Sequence, residues 1–277
     1  MRNIIWVASF PKSGNTWMRA LLANYILKRE DPFPINDLGS FSLSDIRPRF
    51  FHEASGKPVE KLSQNDTLEL RLKSQQLISL SKPHDHFVKT HSRFGSFKGY
   101  PLINSTVSKG AIYLVRNPLD VVISFASHLG ASIDDAIDLM EDPLYSTKSN
   151  DSNVLTILGG WSEHVDSWLT NKSIPRILVR YEDLAANPNK EFSKILNTLG
   201  INIDQNLLKK SIEFSSFSEL SEQESKSGFR ERPPHAERFF RKGTSGQWNS
   251  ILEDRQIRKI VTSHGLVMKK LGYNIAI

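Results

Sequence analysis

Residues 4–26 limit the possible folds more than any other part of the sequence. Ile4–Ser9 is apolar and rich in β-forming residues, and the short polar stretch Phe10–Asn15 follows it directly. Apolar side chains then recur at helical spacing, at Trp17, Met18, Leu21, Leu22, Tyr25 and Ile26. The pattern predicts a buried strand, a loop of the size that holds a phosphate group, and a helix.

Two later stretches repeat the alternation of strand and helix. Ala111–Val115 is a short apolar strand pattern, and Asn117 and Pro118 are typical of the N-cap and first residue of a helix. Ile177–Arg180 precedes a helical pattern around Lys190–Leu199. This alternation favours an α/β fold with a central, mainly parallel sheet flanked by helices. Ligands of such sheets bind at the carboxyl ends of the strands.

The length and composition fit one soluble globular domain. A chain of 277 residues can form one large α/β domain, and we predict a single domain over residues 1–277. The absence of cysteine excludes disulfides, thiolate metal sites and cysteine nucleophiles. No apolar run approaches the roughly 20 residues that span a bilayer, and Ile4–Phe10 lacks the pattern of a secretory signal. We therefore expect a cytoplasmic protein. Its net charge of +6 suits an anionic ligand, although that charge could equally serve solubility.

The remaining stretches are less regular. Pro32–Lys61 and Glu141–Asn153 are rich in Asp, Ser, Pro and Asn, which predicts loops. Ser225–Trp248 is basic and contains several Pro and Gly residues, and we expect it to lie over the ligand site as a mobile segment. Ser250 and Glu253 have the spacing of a capping box at the start of the last helix.

The loop Phe10-Pro-Lys-Ser-Gly-Asn-Thr-Trp17 carries the clearest sign of an anion site. Gly14 lets backbone N–H groups approach a bound anion, and the N-terminus of the following helix adds a favourable dipole. Lys12 supplies a positive charge, and short polar donors come from Ser13, Asn15 and Thr16. The order differs from that of the nucleoside-triphosphate P-loop, because no glycine precedes Lys12 and the lysine stands before Gly14.

Two further stretches place cations where an anion could bind. Arg116 follows a strand, and Ser124 lies two turns into the next helix; taken alone, Arg116 fits a surface ion pair at least as well. Arg241-Lys-Gly-Thr-Ser-Gly-Gln-Trp248 is a basic loop that can surround an anion, and taken alone it also fits a solvated turn.

These three stretches, in this order, resemble the signatures of the soluble sulfotransferases that use 3'-phosphoadenosine-5'-phosphosulfate (PAPS). The first resembles the 5'-phosphosulfate loop Pro-Lys-Ser-Gly-Thr-Thr-Trp, with Asn15 in place of a Thr. The second resembles the motif whose Arg and Ser hold the 3'-phosphate, which implies these roles for Arg116 and Ser124 and a structural role for Asp120. The third resembles Arg-Lys-Gly-x-x-Gly-Asp-Trp, which implies contacts to the 3'-phosphate from Arg241, Lys242 and Gly243.

The resemblance also implies residues around the adenine and at the reacting group. Val179–Leu184 is similar to the segment whose Tyr touches the nucleotide, hence Tyr181, and Phe214–Phe217 is similar to the adenine contact. This implies adenine contacts from Ser215 and Phe217, with Trp17 stacking from the other side, although the two aromatic rings fit a place in the core equally well. Lys-Thr-His at residues 89–91 matches the catalytic tripeptide of the family. His91 is therefore expected to be the general base, with Lys12 at the departing phosphate and Lys89 at the sulfuryl group.

The predicted reaction is sulfuryl transfer from PAPS to a small-molecule acceptor, with adenosine 3',5'-bisphosphate (PAP) as the product. No metal is implied, since no His, Asp or Glu cluster has convincing ligand spacing and lysines can stabilise the developing charge. Neither a nucleic-acid nor a membrane partner is expected. A P-loop nucleotide kinase and a nucleotide-binding protein without catalysis are the alternatives. The sequence leaves the acceptor open among alcohols, phenols, sugars and natural products, and it leaves the oligomeric state open as well.

Overall fold

A computed structural model describes residues 2–273 of the chain. The strands of this range are β1 (Ile4–Ser9), β2 (Leu43–Ser44), β3 (His86–Thr90), β4 (Ser96–Phe97), β5 (Tyr100–Pro101), β6 (Ser108–Val115) and β7 (Arg176–Arg180). The central sheet has the order β2–β3–β1–β6–β7, and each neighbouring pair is parallel. β4 and β5 form a separate antiparallel hairpin. The predicted α/β fold with a parallel sheet is confirmed.

Helices cover both faces of this sheet. In the described range they are α1 (Asn15–Ile26), α2 (Leu38–Phe41), α3 (Pro48–Ser55), α4 (Gln64–Leu80), α5 (Pro118–Leu129), α6 (Ile133–Glu141), α7 (Trp161–Thr170), α8 (Tyr181–Ala186), α9 (Pro188–Thr198), α10 (Gln205–Glu213), α11 (Phe217–Ser227), α12 (Trp248–Ile251) and α13 (Asp254–Lys270). Short 3₁₀ turns lie at Ile35–Asp37 and Val59–Lys61.

Alternating side chains of the central strands pack into two separate hydrophobic cores, one on each face of the sheet. Trp6 of β1 and Tyr113 of β6 belong to one core, together with Trp168 of α7. The adjacent residues Val7 and Leu114 belong to the other core, which α1 and α9 complete. Since successive side chains of a strand point to opposite faces, the continuous apolar runs of β1 and β6 are those of strands buried on both sides.

Two sequence predictions are wrong. The stretch predicted as a loop, Pro32–Lys61, contains helix α3, which has Pro48 in its first turn and ends at the left-handed Gly56. These are ordinary helix start and stop signals. The last helix begins at Asp254 with Glu253 as its N-cap and Gln256 as the capping-box partner, whereas Ser250 lies in the short α12.

Candidate active site

The loop between β1 and α1 has the backbone of an anion site. Gly14 precedes the first residue of α1 with φ of 100°, and no side chain caps this helix N-terminus. A Cβ on Gly14 would lie 2.8 Å from Cδ2 of Tyr181, so only glycine fits. Ser13 Oγ is buried and has no partner within the described residues. The Asn15 side chain instead turns back to β1 and donates to the Val7 carbonyl at 2.9 Å.

Arg116 links this loop to two other parts of the chain. It follows β6 and is 7% exposed. Its Nη1 donates to the Lys12 carbonyl at 3.4 Å and its Nη2 to the Thr244 carbonyl at 3.0 Å. The guanidinium carbon lies 4.4 Å from the centroid of the Tyr181 ring, and Nε is buried with no partner in the described range. Arg116 therefore sits where the three basic stretches meet.

The basic loop at 241–248 is held through its backbone by side chains of α5 and α8. Tyr181 Oη donates to the Gly243 carbonyl at 3.1 Å. The Asp120 carboxylate accepts from the backbone N–H groups of Gly246 at 2.7 Å and Trp248 at 3.3 Å. Asp120 thus has the structural role that the family motif implies. Ser124, one turn further along α5, lines a small cavity together with Lys12 and Arg241.

The residues expected around adenine are placed in different surroundings. Phe217 is 38% exposed, and its ring occupies the space where a Cβ of Gly243 would lie. Trp17 packs edge-on against Tyr181, with ring centroids 5.6 Å apart. The Ser215 hydroxyl is fully buried and accepts a hydrogen bond from Asn24 Nδ2 at 3.0 Å. In this structure Phe217 adjoins the basic loop, whereas the Ser215 side chain faces the protein interior.

His91 follows β3 and has a fixed tautomer. Its Nδ1 lies 2.8 Å from the Ser9 carbonyl oxygen, which can only accept, so Nδ1 carries the proton. Nε2 therefore has a free lone pair, and no described residue lies within hydrogen-bonding distance of it. Burial and then the neighbouring Lys89 ammonium lower the pKa of His91 well below its usual value. The ring is therefore neutral at physiological pH, as a general base must be.

Lys89 is a neighbour of this imidazole and also of a second lysine, Lys12. Lys12 Nζ lies 3.9 Å from the centroid of the Phe239 ring. Burial, followed by the positive charges of Lys89 and Arg241, lowers the pKa of Lys12 to about 7. Lys89 Nζ donates to the Glu231 carboxylate at 2.9 Å, and burial lowers its pKa against the raising effect of that carboxylate. Lys89 thus connects the candidate general base and Lys12 within one partly buried region.

Two charged residues of this region, Arg19 and Glu231, were not predicted from the sequence. Glu231 accepts from Arg19 Nη1 at 2.8 Å as well as from Lys89. Arg19 belongs to α1 and its side chain is 1% exposed. A signal was present, because Arg19 interrupts the apolar run from Trp17 to Leu22 and a buried arginine needs an anionic partner. Nothing in the sequence indicated that Glu231 is that partner.

His164, which was also not predicted from the sequence, is hydrogen-bonded to the backbone of His91. His164 is fully buried on α7, and its Nε2 donates to the His91 carbonyl at 3.0 Å. Its Nδ1 accepts from the Tyr113 hydroxyl at 2.9 Å. Burial lowers the pKa of His164 to about 3, which keeps the ring neutral and able to accept from Tyr113. This relay fixes the backbone that carries the candidate base.

Neither a metal centre nor a transmembrane helix is found within residues 2–273. In that range no group of three or more His, Cys, Asp or Glu side chains is arranged to hold a metal ion. None of the helices described there combines the length and the hydropathy required to cross a membrane.

Known proteins share both the sequence pattern and the fold. The family model of the sulfotransferase domain matches residues 2–272. Flavonol 3-sulfotransferase of Flaveria bidentis is 26% identical over 98% of this chain and 82% of that protein. Cytosolic sulfotransferase 8 of Arabidopsis thaliana is 28% identical over 92% of this chain and 74% of its own length.

Solved structures carry the same architecture. A mouse sulfotransferase complexed with PAP aligns with a TM-score of 0.61 and 20% identity, over 97% of this chain and 86% of that chain. Retinol dehydratase in complex with androsterone and the inactive cofactor PAP aligns with a TM-score of 0.66 and 18% identity, over 99% of this chain and 82% of that chain. Because the family model spans nearly the whole chain and the fold agrees with it, this chain belongs to the sulfotransferase family.

Proposed function

We propose that this protein transfers a sulfuryl group from PAPS to a hydroxyl or amine of a small-molecule acceptor, without a metal ion. The observation that carries the proposal is the neutral His91, whose Nε2 lone pair is free beside the lysine-bearing loop after β1. The surrounding cations suit the anionic donor. The PAP bound to two structural relatives supports the same donor and product.

The residues present fit the nucleotide. Ser13 Oγ and Arg116 Nε are buried polar atoms that lack partners among the described residues, and both can bond to phosphate oxygens. The N-terminus of α1, together with Lys12, would hold the 5'-phosphosulfate. Arg116, Ser124 and the basic loop at 241–243 would hold the 3'-phosphate. The aromatic residues Trp17, Tyr181 and Phe217 would flank the base and sugar.

PAPS supplies the sulfuryl group and a stable bisphosphate leaving group. His91 Nε2 takes the proton of the acceptor as the acceptor oxygen or nitrogen bonds to sulfur. Lys12 stabilises the charge that develops on the 5'-phosphate oxygen as its bond to sulfur breaks, and Lys89 stabilises the oxygens of the group in transit. The requirements are those of phosphoryl transfer, in which positioning and electrostatic stabilisation provide most of the rate.

The acceptor is proposed only as a class. Retinol dehydratase binds retinol and androsterone, and the Flaveria relative is named for a flavonol, so hydroxylated small molecules are the first candidates. We also propose that residues 1–277 form one domain and act in the cytoplasm, as the name of the Arabidopsis relative suggests for that protein. One cooperative unfolding transition in calorimetry would support the single domain.

A binding and transfer experiment tests the function. We expect the protein to bind PAP and PAPS in preference to ATP or oligonucleotides, and to transfer label from [³⁵S]PAPS to at least one member of a panel of phenols, aliphatic alcohols, sugars and amines. Transfer from ATP would favour a kinase instead. Tight PAPS binding with no transfer to any acceptor class would favour a nucleotide-binding protein without catalysis.

A further inference from the structure

Glu231 is the one carboxylate, among the described residues, that pairs with cations of the candidate active site. It lies in the segment 228–247, which contains neither helix nor strand. Its Oε1 is 2.8 Å from Arg19 Nη1 of α1, and its Oε2 is 2.9 Å from Lys89 Nζ of β3. A single side chain thus joins the irregular segment, the first helix and the strand that carries the catalytic tripeptide.

The pairing is more than a surface contact. The Arg19 and Lys89 side chains are 1% and 19% exposed, and Glu231 is 29% exposed. A buried cation is stable only with an anionic or strongly hydrogen-bonding partner. Arg19 has no carboxylate partner other than Glu231 within residues 2–273, so loss of the Glu231 charge leaves Arg19 unpaired and leaves Lys89 with only the smaller influence of Asp45.

Glu231 is poorly suited to be the general base itself. Burial raises its pKa, but Lys89 and Arg19 outweigh this effect and hold the pKa well below the usual range for a carboxyl. A carboxylate that binds a proton so weakly takes few protons from an acceptor. Its two ion pairs also occupy both oxygens. Its chemistry is therefore that of a fixed counter-ion.

We propose that Glu231 is a positioning residue of the sulfuryl-transfer site: it holds the Lys89 ammonium in place and compensates the cations that converge there. The inference rests on the proposed function. Without this carboxylate, none of the cations Lys12, Lys89, Arg19, Arg116 and Arg241 would have an ion-pair partner among the described residues, and Asp45, which forms no ion pair with Lys89, would alone act on the charge of that lysine.

This role has a consequence for the protonation of Lys12. The charged and titratable groups around Lys12 are Lys89, Arg116 and Arg241, the Glu231 carboxylate, and His128 of α5. Burial and the three cations lower the pKa of Lys12 to about 7, and Glu231 acts in the opposite direction. Neutralising Glu231 must therefore lower that pKa further, so Lys12 loses its proton at a lower pH.

The experiment compares Glu231→Gln with Glu237→Gln, using PAP as the probe. Glu237 is exposed on the same segment, so its variant removes the same charge away from these cations. Calorimetric affinities for PAP are measured between about pH 6.5 and about pH 9, where the phosphates stay largely ionised. In the wild type, affinity falls as pH rises through the pKa of Lys12. We expect this fall to move to lower pH by roughly half a unit or more in Glu231→Gln, and to stay in place in Glu237→Gln.

The outcomes separate this inference from the proposed function. Equal midpoints in both variants would overturn the role of Glu231, whereas a wild type that fails to bind PAP would overturn the proposed function. Glu231→Asp retains the charge and should keep the wild-type midpoint.

A double variant provides a second test if Glu231→Gln does not fold. Lys89→Gln/Glu231→Gln removes both members of the ion pair, so the lowering effect of Lys89 and the raising effect of Glu231 on the pKa of Lys12 are lost together, and the midpoint should lie near that of the wild type. A midpoint for Lys89→Gln alone that is no higher than that of the double variant would also overturn the inference.

Discussion

The strand ends and the segment 228–247 hold their charged residues in different ways. His91 directly follows β3 and Arg116 directly follows β6, whereas Lys12 lies in the loop between β1 and α1. These strands pair in parallel, with β1 between the other two, and the β1–β6 register is regular from Ile5 to Ser9 at the end where the site lies. The positions of the three residues are therefore set by the sheet, whose backbone hydrogen bonds do not depend on any single side chain.

The segment is fastened by individual side chains instead. The Glu224 carboxylate accepts from the backbone N–H groups of Phe239 at 2.7 Å and Phe240 at 2.9 Å. Asp120 binds the backbone at Gly246 and Trp248, and Glu231 binds two cations. Each of these tethers is one side chain that a single substitution can remove.

This difference predicts which step each substitution affects. A change at Lys12 or His91 removes a group proposed to act on the reacting atoms and leaves the surrounding backbone in place, so the rate of transfer should fall most. Arg116, at the third strand end, is proposed to bind the 3'-phosphate, so its loss should affect nucleotide affinity. A change at a tether moves a loop that carries binding groups, so nucleotide affinity should fall while the chemical step is largely retained.

The largest effect is expected for His91→Ala. Loss of a positioned general base should lower kcat by roughly 10²–10⁴-fold. The Kd for PAP should change little, because the His91 ring is hydrogen-bonded to Ser9 and does not pair with the cations that are proposed to bind the phosphates. Steady-state kinetics with the best acceptor of the panel measures kcat, and calorimetry measures Kd. His52→Ala, an exposed histidine on α3, is the matched control. Near-normal turnover in His91→Ala would remove this residue from the mechanism.

Lys12→Ala should follow, with a single-turnover rate about 10²–10³-fold lower at saturating PAPS. In the proposed mechanism the lysine acts on charge that develops only as the bond to sulfur breaks, so the loss should belong chiefly to the transition state. The Kd values for PAP and PAPS should rise by a smaller factor, about three- to tenfold, because the ammonium also attracts the ionised phosphates. A rate that returns to the wild-type value when PAPS is raised would show that Lys12 only helps to hold the nucleotide.

Arg116→Ala and Arg241→Ala should weaken PAP binding by roughly 10–100-fold each, the scale of a lost charge-assisted hydrogen bond. Both variants should also lose much of the preference for PAPS over adenosine 5'-phosphosulfate, which lacks the 3'-phosphate. Competition binding measures this ratio. Arg230→Ala removes an exposed charge from the same segment as Arg241 and should keep the preference. Unchanged discrimination in both Arg116→Ala and Arg241→Ala would place the 3'-phosphate elsewhere.

The sequence predicted the strand ends well because their signals are local. Ile4–Ser9 is the strand that its apolar run indicates, and Asn117 caps α5 by accepting from the Leu119 N–H at 3.1 Å. Parallel strands bring their carboxyl ends together, so residues far apart in sequence could be assigned to one site from topology alone. The hydrogen bond from Arg116 to the Lys12 carbonyl is an example of this rule.

The tethers could not be predicted, because each depends on a contact between distant residues. Arg19 and Glu231 are separated by 212 positions, and neither has a local pattern that identifies the other. The relay from Tyr113 through His164 to the His91 carbonyl likewise joins three elements whose packing only the folded chain defines. Helix α3 is different: its proline and glycine signals were present, and the polar composition around it obscured them.

The smallest effect is expected for Asp120→Asn, which tests the tether alone. Asp120 accepts from two backbone N–H groups of the basic loop, and an amide can replace only one of these acceptors while its NH₂ faces the other N–H. The loop that carries Arg241 should then be held less firmly, and PAP affinity should fall by about three- to tenfold, the scale of one hydrogen bond. The single-turnover rate at saturating PAPS should stay near the wild-type value, because His91 and Lys12 keep their places on the sheet. Asp134→Asn, which breaks an exposed pair with Arg255, is the control for the loss of an ionised carboxylate. If Asp120→Asn instead slowed the chemical step as strongly as Lys12→Ala, the two regions would not be separable, because the tethered loop would then help to arrange the reacting groups themselves.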